Sequence, residues 1–137
     1  MSNAVFGNKV SPSNVPGKGL NIGLWVVQGL LALAFVGSAS GKLLGNPEMV
    51  GLFDVIGVGQ WFRYVTGLVE LAGAALILVP KTRVVGAGLL AGTMLGAVPI
   101  HLFVLHSAPT APVVLLALVS FVLWGRRAEL ARLRGRS

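Results

Sequence analysis

The stretch FRYVTGLVELAGAALILV, residues 62–79, decides the class of fold, because it is an apolar run with one acid near its middle. Its length approaches the roughly 20 residues that a helix needs to cross the hydrocarbon core of a bilayer. A carboxylate inside such a segment is costly and most often has a function. Glu70 is therefore the first candidate functional residue.

Three further apolar runs accompany it, at residues 22–40, 84–105 and 111–124. Of the 137 residues 55% are hydrophobic and 11% are charged, which is far from the balance of a soluble domain. We predict an all-α, four-helix transmembrane bundle over residues 20–125, between a flexible cytoplasmic tail (1–19) and a basic cytoplasmic tail (126–137). A cleaved signal sequence is the alternative for the first run, but its length favours a retained span.

The positive charges indicate the orientation. Four spans place nine of the eleven Lys and Arg residues on one side, namely Lys9, Lys18, Lys81, Arg83, Arg126, Arg127, Arg132, Arg134 and Arg136. The positive-inside rule then puts both termini in the cytoplasm. The net charge of +7 could instead mark a nucleic-acid-binding arm. Clustering of the charges next to a span favours contact with the lipid bilayer, so no nucleic-acid partner is predicted.

The segment between the first two spans, residues 43–61, has the apolar spacing of an amphipathic helix. Pro47 suits its first turn, and Gly57 suits its end. We predict a short helix at the outer interface that covers the mouth of the bundle. Lys42 and Arg63 would lie at the outer boundary beneath it.

Depth in the bundle follows from a rise of about 1.5 Å per residue. Counted from Pro80, Glu70 lies roughly 15 Å along its helix, at the middle of a core about 30 Å thick. Gln28, counted from Leu20, and Thr93, counted from the start of its run, reach nearly the same level. We predict that Glu70 points inward, within reach of Gln28 or Thr93.

Other polar groups lie between Glu70 and the outer boundary, and Pro99 should kink the third span just before His101. We predict an outward-opening polar pocket, roofed by the short helix and lined by Ser38, Lys42, Thr66, Glu70 and His101. Glu70 could be a ligand-binding or proton-handling carboxylate, a structural core acid, or an inter-subunit contact. Its helical face also carries small residues, Gly67, Gly73 and Ala74, which favours burial.

Small residues recur every four positions on two spans, and this spacing lets helices approach closely in lipid. The residues are Gly88, Gly92 and Gly96 on the third span and Gly37 and Gly41 on the first. They predict either packing within the bundle or the seam of a homo-oligomer. On an ideal helix His101 would lie opposite the glycines of its own span.

Redox and metal chemistry within the chain are not predicted. The sequence has no cysteine, so a thiol relay is excluded, and two histidines without carboxylate neighbours do not predict a metal site. No intrinsic cofactor and no intrinsic catalysis are predicted.

A series of short elements in fixed order resembles the DoxX-like family of small bacterial membrane proteins, over residues 20–127. The elements are Gly41-Lys42-Leu43, Asn46-Pro47, Met49, Phe53, Ile56-Gly57, Gln60-Trp61, Gly67, Glu70, Gly73, Leu78 and Pro80, then His101-Leu102, Trp124, Arg126 and Arg127. The resemblance implies a four-helix transmembrane fold in the bacterial inner membrane. Some relatives are subunits or partners of redox systems, including a thiosulfate:quinone oxidoreductase, and related eukaryotic proteins are receptor-assembly chaperones.

Three functions stay open on this basis. The first is an accessory subunit or partner of a quinone-linked membrane redox system, with quinone bound near Glu70 and His101. The second is a scaffold or assembly protein that binds another membrane protein. The third is a small proton-coupled transporter, but exporters of that kind carry their acid on the first helix, where this chain has only Gln28.

Overall fold

The computed structural model describes residues 15–135, and for Arg134 and Gly135 it describes the backbone alone. Over this range the chain has six α-helices and no strand, which confirms the all-α class. They are α1 (Lys18–Leu44), α2 (Pro47–Ile56), α3 (Gln60–Ile77), α4 (Arg83–Pro99), α5 (Thr110–Gly125) and α6 (Arg127–Gly135). A π-helical turn, Ile100–Val104, continues α4. Most of the predicted flexible tail, residues 1–19, lies outside the described residues.

Helices α1, α3, α4 and α5 pack together as a bundle. α1 contacts α3 and α5, and α4 contacts the same two helices from the other side. Buried apolar side chains from all four form the core: Leu31, Ala32, Phe35, Ala74, Ile77, Ala87, Leu90, Met94, Val119 and Val122. α2 follows the end of α1, and α6 follows the end of α5, so the two short helices lie at opposite ends of the bundle.

Two segments of the described chain are long and apolar enough to cross a membrane. They are α1 and the continuous helix Arg83–Val104, formed by α4 and the π-helical turn. α5 is a shorter apolar helix, and α3, which carries Arg63 and Glu70, does not meet the same criterion. Length and hydropathy thus single out two of the four predicted spans.

The short helix predicted between the first two runs is present as α2. The Asn46 side chain accepts a hydrogen bond of 2.9 Å from the Glu48 N–H and caps the first turn, where Pro47 lies. Gly57 ends the helix with a φ of 81°, and its N–H donates to the Phe53 carbonyl at 3.1 Å. Only glycine adopts that conformation at no steric cost. Local sequence signals therefore set both ends of α2.

The glycines predicted to pack helices together do not do so within the described chain. A methyl group added to any of the four exposed ones, Gly37, Gly88, Gly92 and Gly96, would meet no other atom within 4 Å. At Gly41 it would touch only the side chains of Met49 and Asn46. Packing within the bundle is thus wrong for these glycines, whereas the homo-oligomer seam stays a prediction.

Other glycines bring helices together instead. A Cβ at Gly86 would lie 2.6 Å from the Ile77 backbone nitrogen and 2.9 Å from the Gly73 carbonyl oxygen, so α3 and α4 touch backbone to backbone there. A Cβ at Gly125 would lie 2.5 Å from the Leu24 side chain. The four-residue repeat correctly predicted a helix face made of small residues. It could not predict whether that face contacts another helix of the bundle.

Candidate functional site

The candidate site is centred on an ion pair between α1 and α3. Lys42 Nζ lies 2.9 Å from Glu70 Oε1 and donates a second hydrogen bond, of 2.7 Å, to Ser38 Oγ. Ser38 in turn donates to Glu70 Oε1 at 3.2 Å. Ser38 and Lys42 lie four residues apart, on one face of α1, so both side chains reach the same carboxylate.

Both charged residues of this ion pair are buried. Glu70 is 2% exposed and Lys42 is 8% exposed. A charge in such a place is tolerated when an opposite charge and hydrogen bonds compensate for lost water. The inward orientation predicted for Glu70 is confirmed, and a positive partner, not Gln28 or Thr93, compensates its charge.

Lys42 lies in the last turn of α1 and Arg63 in the first turn of α3, at the end of the bundle predicted to face outward. Both side chains are buried there. The Arg63 guanidinium donates to the Lys42 backbone carbonyl, near the end of α1, and its Nε donates to Gln60 Oε1 at 2.7 Å. It also lies 4.3 Å from the ring centroid of Tyr64. Long aliphatic stems allow such charged groups to reach partners away from their own Cα level.

A cleft of about 530 Å³ opens beside the ion pair, bordered by α1, α2, α3, α4, the π-helical turn and α5. Most of its lining is apolar, including Met49, Leu52, Phe53 and Ile56 of α2. The polar lining residues are Ser38, Lys42, Thr66, Glu70, Thr93 and His101. The cleft thus brings together all the predicted site residues except Gln28, in surroundings less polar than predicted.

Only one of the two carboxylate oxygens of Glu70 accepts hydrogen bonds from described side chains. All the hydrogen bonds that Glu70 accepts from described side chains end on Oε1. No fully buried side-chain oxygen in the described range lacks a partner, so Oε2 must keep some accessible surface. Since Glu70 lines the cleft, Oε2 can accept a hydrogen bond from a group that enters there.

Of the two residues predicted at the level of Glu70, Thr93 lines the same cleft as Glu70, whereas Gln28 lies at another level. The Gln28 amide donates to the Ile77 carbonyl at 2.6 Å, seven residues along α3 from Glu70, or about 10 Å. Thr93 donates to the Leu89 carbonyl of its own helix at 2.9 Å. Neither residue is hydrogen-bonded to Glu70, which was predicted to lie within reach of one of them. Counting from Leu20 placed Gln28 too close to the middle of the bundle. The reason is that α1 starts beyond the end of α3, so the Gln28 side chain lies at the level of Ile77, the last residue of α3.

His101 borders the cleft from the π-helical turn. Pro99 has no N–H to donate, and in the turn that follows Leu105 donates to the Ile100 carbonyl at 2.9 Å. His101 Nδ1 lies 3.0 Å from Ser107 Oγ. His101 lines the same cleft as Gly92 and Gly96 and so does not lie opposite them. The opposite placement was expected for an ideal helix, whereas the segment after Pro99 is a π-helical turn.

Two further features limit the chemistry of the site. The Thr66 hydroxyl donates to the Phe62 carbonyl at 2.7 Å, which leaves its oxygen lone pairs as the free polar capacity. No group of three or more His, Cys, Asp or Glu residues that could hold a metal occurs within residues 15–135. The arrangement can therefore bind and orient a polar group at the edge of an apolar ligand, and Glu70 and His101 can exchange protons with it.

Comparison with known proteins adds one finding. The sequence profile of the DoxX-like family matches residues 26–122, which includes every polar residue that lines the cleft. No curated protein and no solved structure matches the chain.

Proposed function

This chain belongs to the DoxX-like family, and from that premise we propose that it is a multi-pass protein of the bacterial inner membrane with four spans. The spans are α1, α3, α4 with its π-helical turn, and α5. The outer surface of the bundle supports this proposal, because it carries large apolar side chains such as Leu33 and Phe103, each 73% exposed, and Leu95, 61% exposed. A soluble protein rarely exposes so much apolar surface.

The charges support spanning by α3 and the proposed orientation. The charged residues of α3 are both buried: Glu70 forms an ion pair with Lys42, and Arg63 is hydrogen-bonded to the Lys42 carbonyl. The outward face of α3 is therefore left to residues such as Leu68. The chain before α1 and after α5 carries most of the cations, which favours the cytoplasm for that end. The cleft would then open toward the outer side.

The proposed role of the cleft is to bind a neutral, quinone-like ligand. Its volume of about 530 Å³ lies within the range of roughly 300–1,000 Å³ that is typical of small-molecule sites. The single observation that carries the proposal is the Lys42–Glu70 pair, set in an otherwise apolar lining. Lys42 would donate to a quinone oxygen, and Glu70 Oε2 would accept from a hydroquinone hydroxyl. The ring and tail would contact the apolar walls.

In this role the protein is an accessory subunit or partner of a redox enzyme. It would hold the quinone in the membrane near a subunit that carries the electrons. We assign no electron-transfer step to its own residues.

The test uses thermal unfolding of the detergent-purified protein with a short-chain ubiquinone analogue. Binding should raise the midpoint of the wild-type protein and raise that of His101→Ala less, because His101 lines the cleft. His106→Ala is the matched control, since His106 lies nearby in the sequence but does not line it. Equal shifts for all three proteins, or no shift, would remove the quinone proposal.

A second candidate function, a scaffold for another membrane protein, rests on the exposed face of Gly88, Gly92 and Gly96. Such a face suits a close helix partner. The chain has no cysteine, so Gly92→Cys supplies a single site for cross-linking in native membranes. A cross-linked redox subunit would support the accessory role, a folding client would support the scaffold role, and a cross-linked copy of this chain would support the homo-oligomer.

A further inference from the structure

A second polar cluster lies at the end of the bundle opposite the cleft, where α1 begins and α5 ends. Arg126, which follows the last residue of α5, is only 1% exposed. Its Nη1 donates to Asn21 Oδ1 at 2.6 Å, and its Nε and Nη2 donate to Gln28 Oε1 at 3.1 Å and 3.0 Å. Neutral amides hold this guanidinium. No carboxylate within the described chain is hydrogen-bonded to it.

A second arginine lies next to it. Arg83 donates from Nε to both carboxylate oxygens of Glu129, at 2.8 Å and 3.1 Å, and its Nη2 also bonds that carboxylate. The guanidinium carbons of Arg83 and Arg126 lie 5.4 Å and 5.7 Å from the ring centroid of Trp25. The two guanidinium groups therefore lie against one indole ring, and of the two only Arg83 is hydrogen-bonded to the Glu129 carboxylate.

The surroundings of Arg126 disfavour the charged form of its side chain. Burial lowers the pKa of Arg126 from its ordinary value, and repulsion from Arg83 lowers it further, while attraction to Glu129 acts in the opposite direction. The group stays protonated, since arginine in proteins does not lose its proton. A bound anion would offset the repulsion from Arg83 and compensate the buried charge of Arg126 for its lost water.

A cleft of about 320 Å³ opens at this cluster. Its charged lining residues are Lys18, Arg83, Arg126, Glu129 and Arg132. Lys18 and Arg132 are exposed, and neither side chain makes a hydrogen bond or ion pair to another residue of the described range. Four cations thus face one carboxylate, and that carboxylate is already bonded to Arg83.

We propose that this cleft binds a phosphate-type anion, supplied either as the phosphodiester headgroup of an anionic lipid or as free phosphate. Three of the five N–H groups of Arg126 are bonded to Asn21 and Gln28, which leaves one N–H on each terminal nitrogen. Two such N–H groups suit bidentate bonding to a phosphate. Lys18 and Arg132 supply the flexible cations that close over the anion from the exposed side.

The volume of the cleft favours a small group over a polymer. About 320 Å³ accommodates a single phosphate with a short polar extension, but not successive nucleotides. The cleft also adjoins the ends of two apolar helices, α1 and α5, where the headgroups of the inner leaflet would lie in the proposed orientation.

The test is a binding titration on the full-length protein in an uncharged maltoside, at constant ionic strength. Inorganic phosphate is one probe, and dihexanoylphosphatidylglycerol is the other, with dihexanoylphosphatidylcholine as the zwitterionic comparison. The test variant is Lys18→Gln with Arg132→Gln. The control variant, Lys81→Gln with Arg127→Gln, loses the same charge from residues that do not line the cleft.

Either probe should raise the thermal midpoint of the wild-type protein and of the control variant. The test variant should bind more weakly, by about fivefold for each charge removed. A response to phosphate alone identifies a free anion as the ligand, and a response to phosphatidylglycerol beyond that to phosphatidylcholine identifies a lipid headgroup. Equal affinity in the test and control variants, or no response to either probe, would overturn the proposal.

Discussion

The side-chain oxygen of Gln28 accepts two hydrogen bonds from the guanidinium of Arg126, a residue 98 positions away in the sequence. The Gln28 amide donates at the same time to the Ile77 carbonyl at 2.6 Å. One buried glutamine therefore connects α1 to the end of α5 and to the last turn of α3. These bonds set the axial position of α1 against two neighbouring helices.

Replacement of Gln28 by leucine should destabilise the protein substantially. The change removes the one oxygen that accepts from both Nε and Nη2 of Arg126, and it leaves the buried cation with Asn21 as its hydrogen-bond partner. We expect a loss of about 2–4 kcal/mol, since hydrogen bonds to charged groups contribute about 1.5–3 kcal/mol each and are not additive. The free energy of unfolding in mixed micelles is the measurement.

Thr93→Val is the control for this change, because it also exchanges a polar side chain for an apolar one of similar size. Its hydroxyl bonds only its own helix, so its effect should stay within about 0.5 kcal/mol. Similar losses for the two variants would mean that the contact between Gln28 and Arg126 contributes nothing specific.

Glu70→Gln should destabilise the protein by about 3–5 kcal/mol, because it leaves the Lys42 ammonium buried without a counter-charge. Lys42→Met should cost a similar amount for the converse reason. The double variant should recover much of the loss, and the double-mutant cycle measures the coupling. Strict additivity of the two losses would show that the pair is not coupled.

Gly86→Ala should lower the free energy of unfolding by about 1–3 kcal/mol, because its Cβ would overlap the Ile77 backbone. Gly88→Ala, two positions along the same helix, should be neutral or stabilising by up to about 1 kcal/mol, since its Cβ meets no atom and alanine favours the helix. If Gly88→Ala instead lowers stability only at high protein concentration, a second copy covers that face.

Reporter fusions test the proposed topology. A fusion after Ser107 should report the outer side, and a fusion after Ser137 should report the cytoplasm. The reason is the nine-to-two distribution of Lys and Arg between the two sides. A cytoplasmic signal at Ser107 would contradict the four-span arrangement.

Local signals in the sequence were sufficient to predict the short helix α2 and its ends. Asn46, Pro47 and Gly57 determine the bounds of α2 through the conformations that these residue types allow. Glu70 could be assigned to the interior from Gly67, Gly73 and Ala74 on the same face. Each of these inferences depends on residues within a few positions of one another.

Relationships between helices could not be predicted in the same way. The count from Leu20 assumed that α1 begins where α3 ends, whereas the contact of Gln28 with Ile77 shows that α1 extends further. The ion pair of Lys42 was not predicted, because its partner Glu70 lies on another helix, 28 positions away in the sequence. Burial of Arg126 depends on a contact across 98 positions, for which the sequence has no local signal.

The Lys42–Glu70 pair has no net charge, and this affects how the site would respond to the membrane voltage. In the proposed arrangement a neutral ligand that enters the cleft moves no charge through the field, so its affinity should not depend on voltage. A proton that reaches Glu70 from outside would cross about half of the field, worth about 1.2 kcal/mol per 100 mV. At this site, binding of a neutral ligand would therefore be independent of the membrane voltage, whereas uptake of a proton would depend on it.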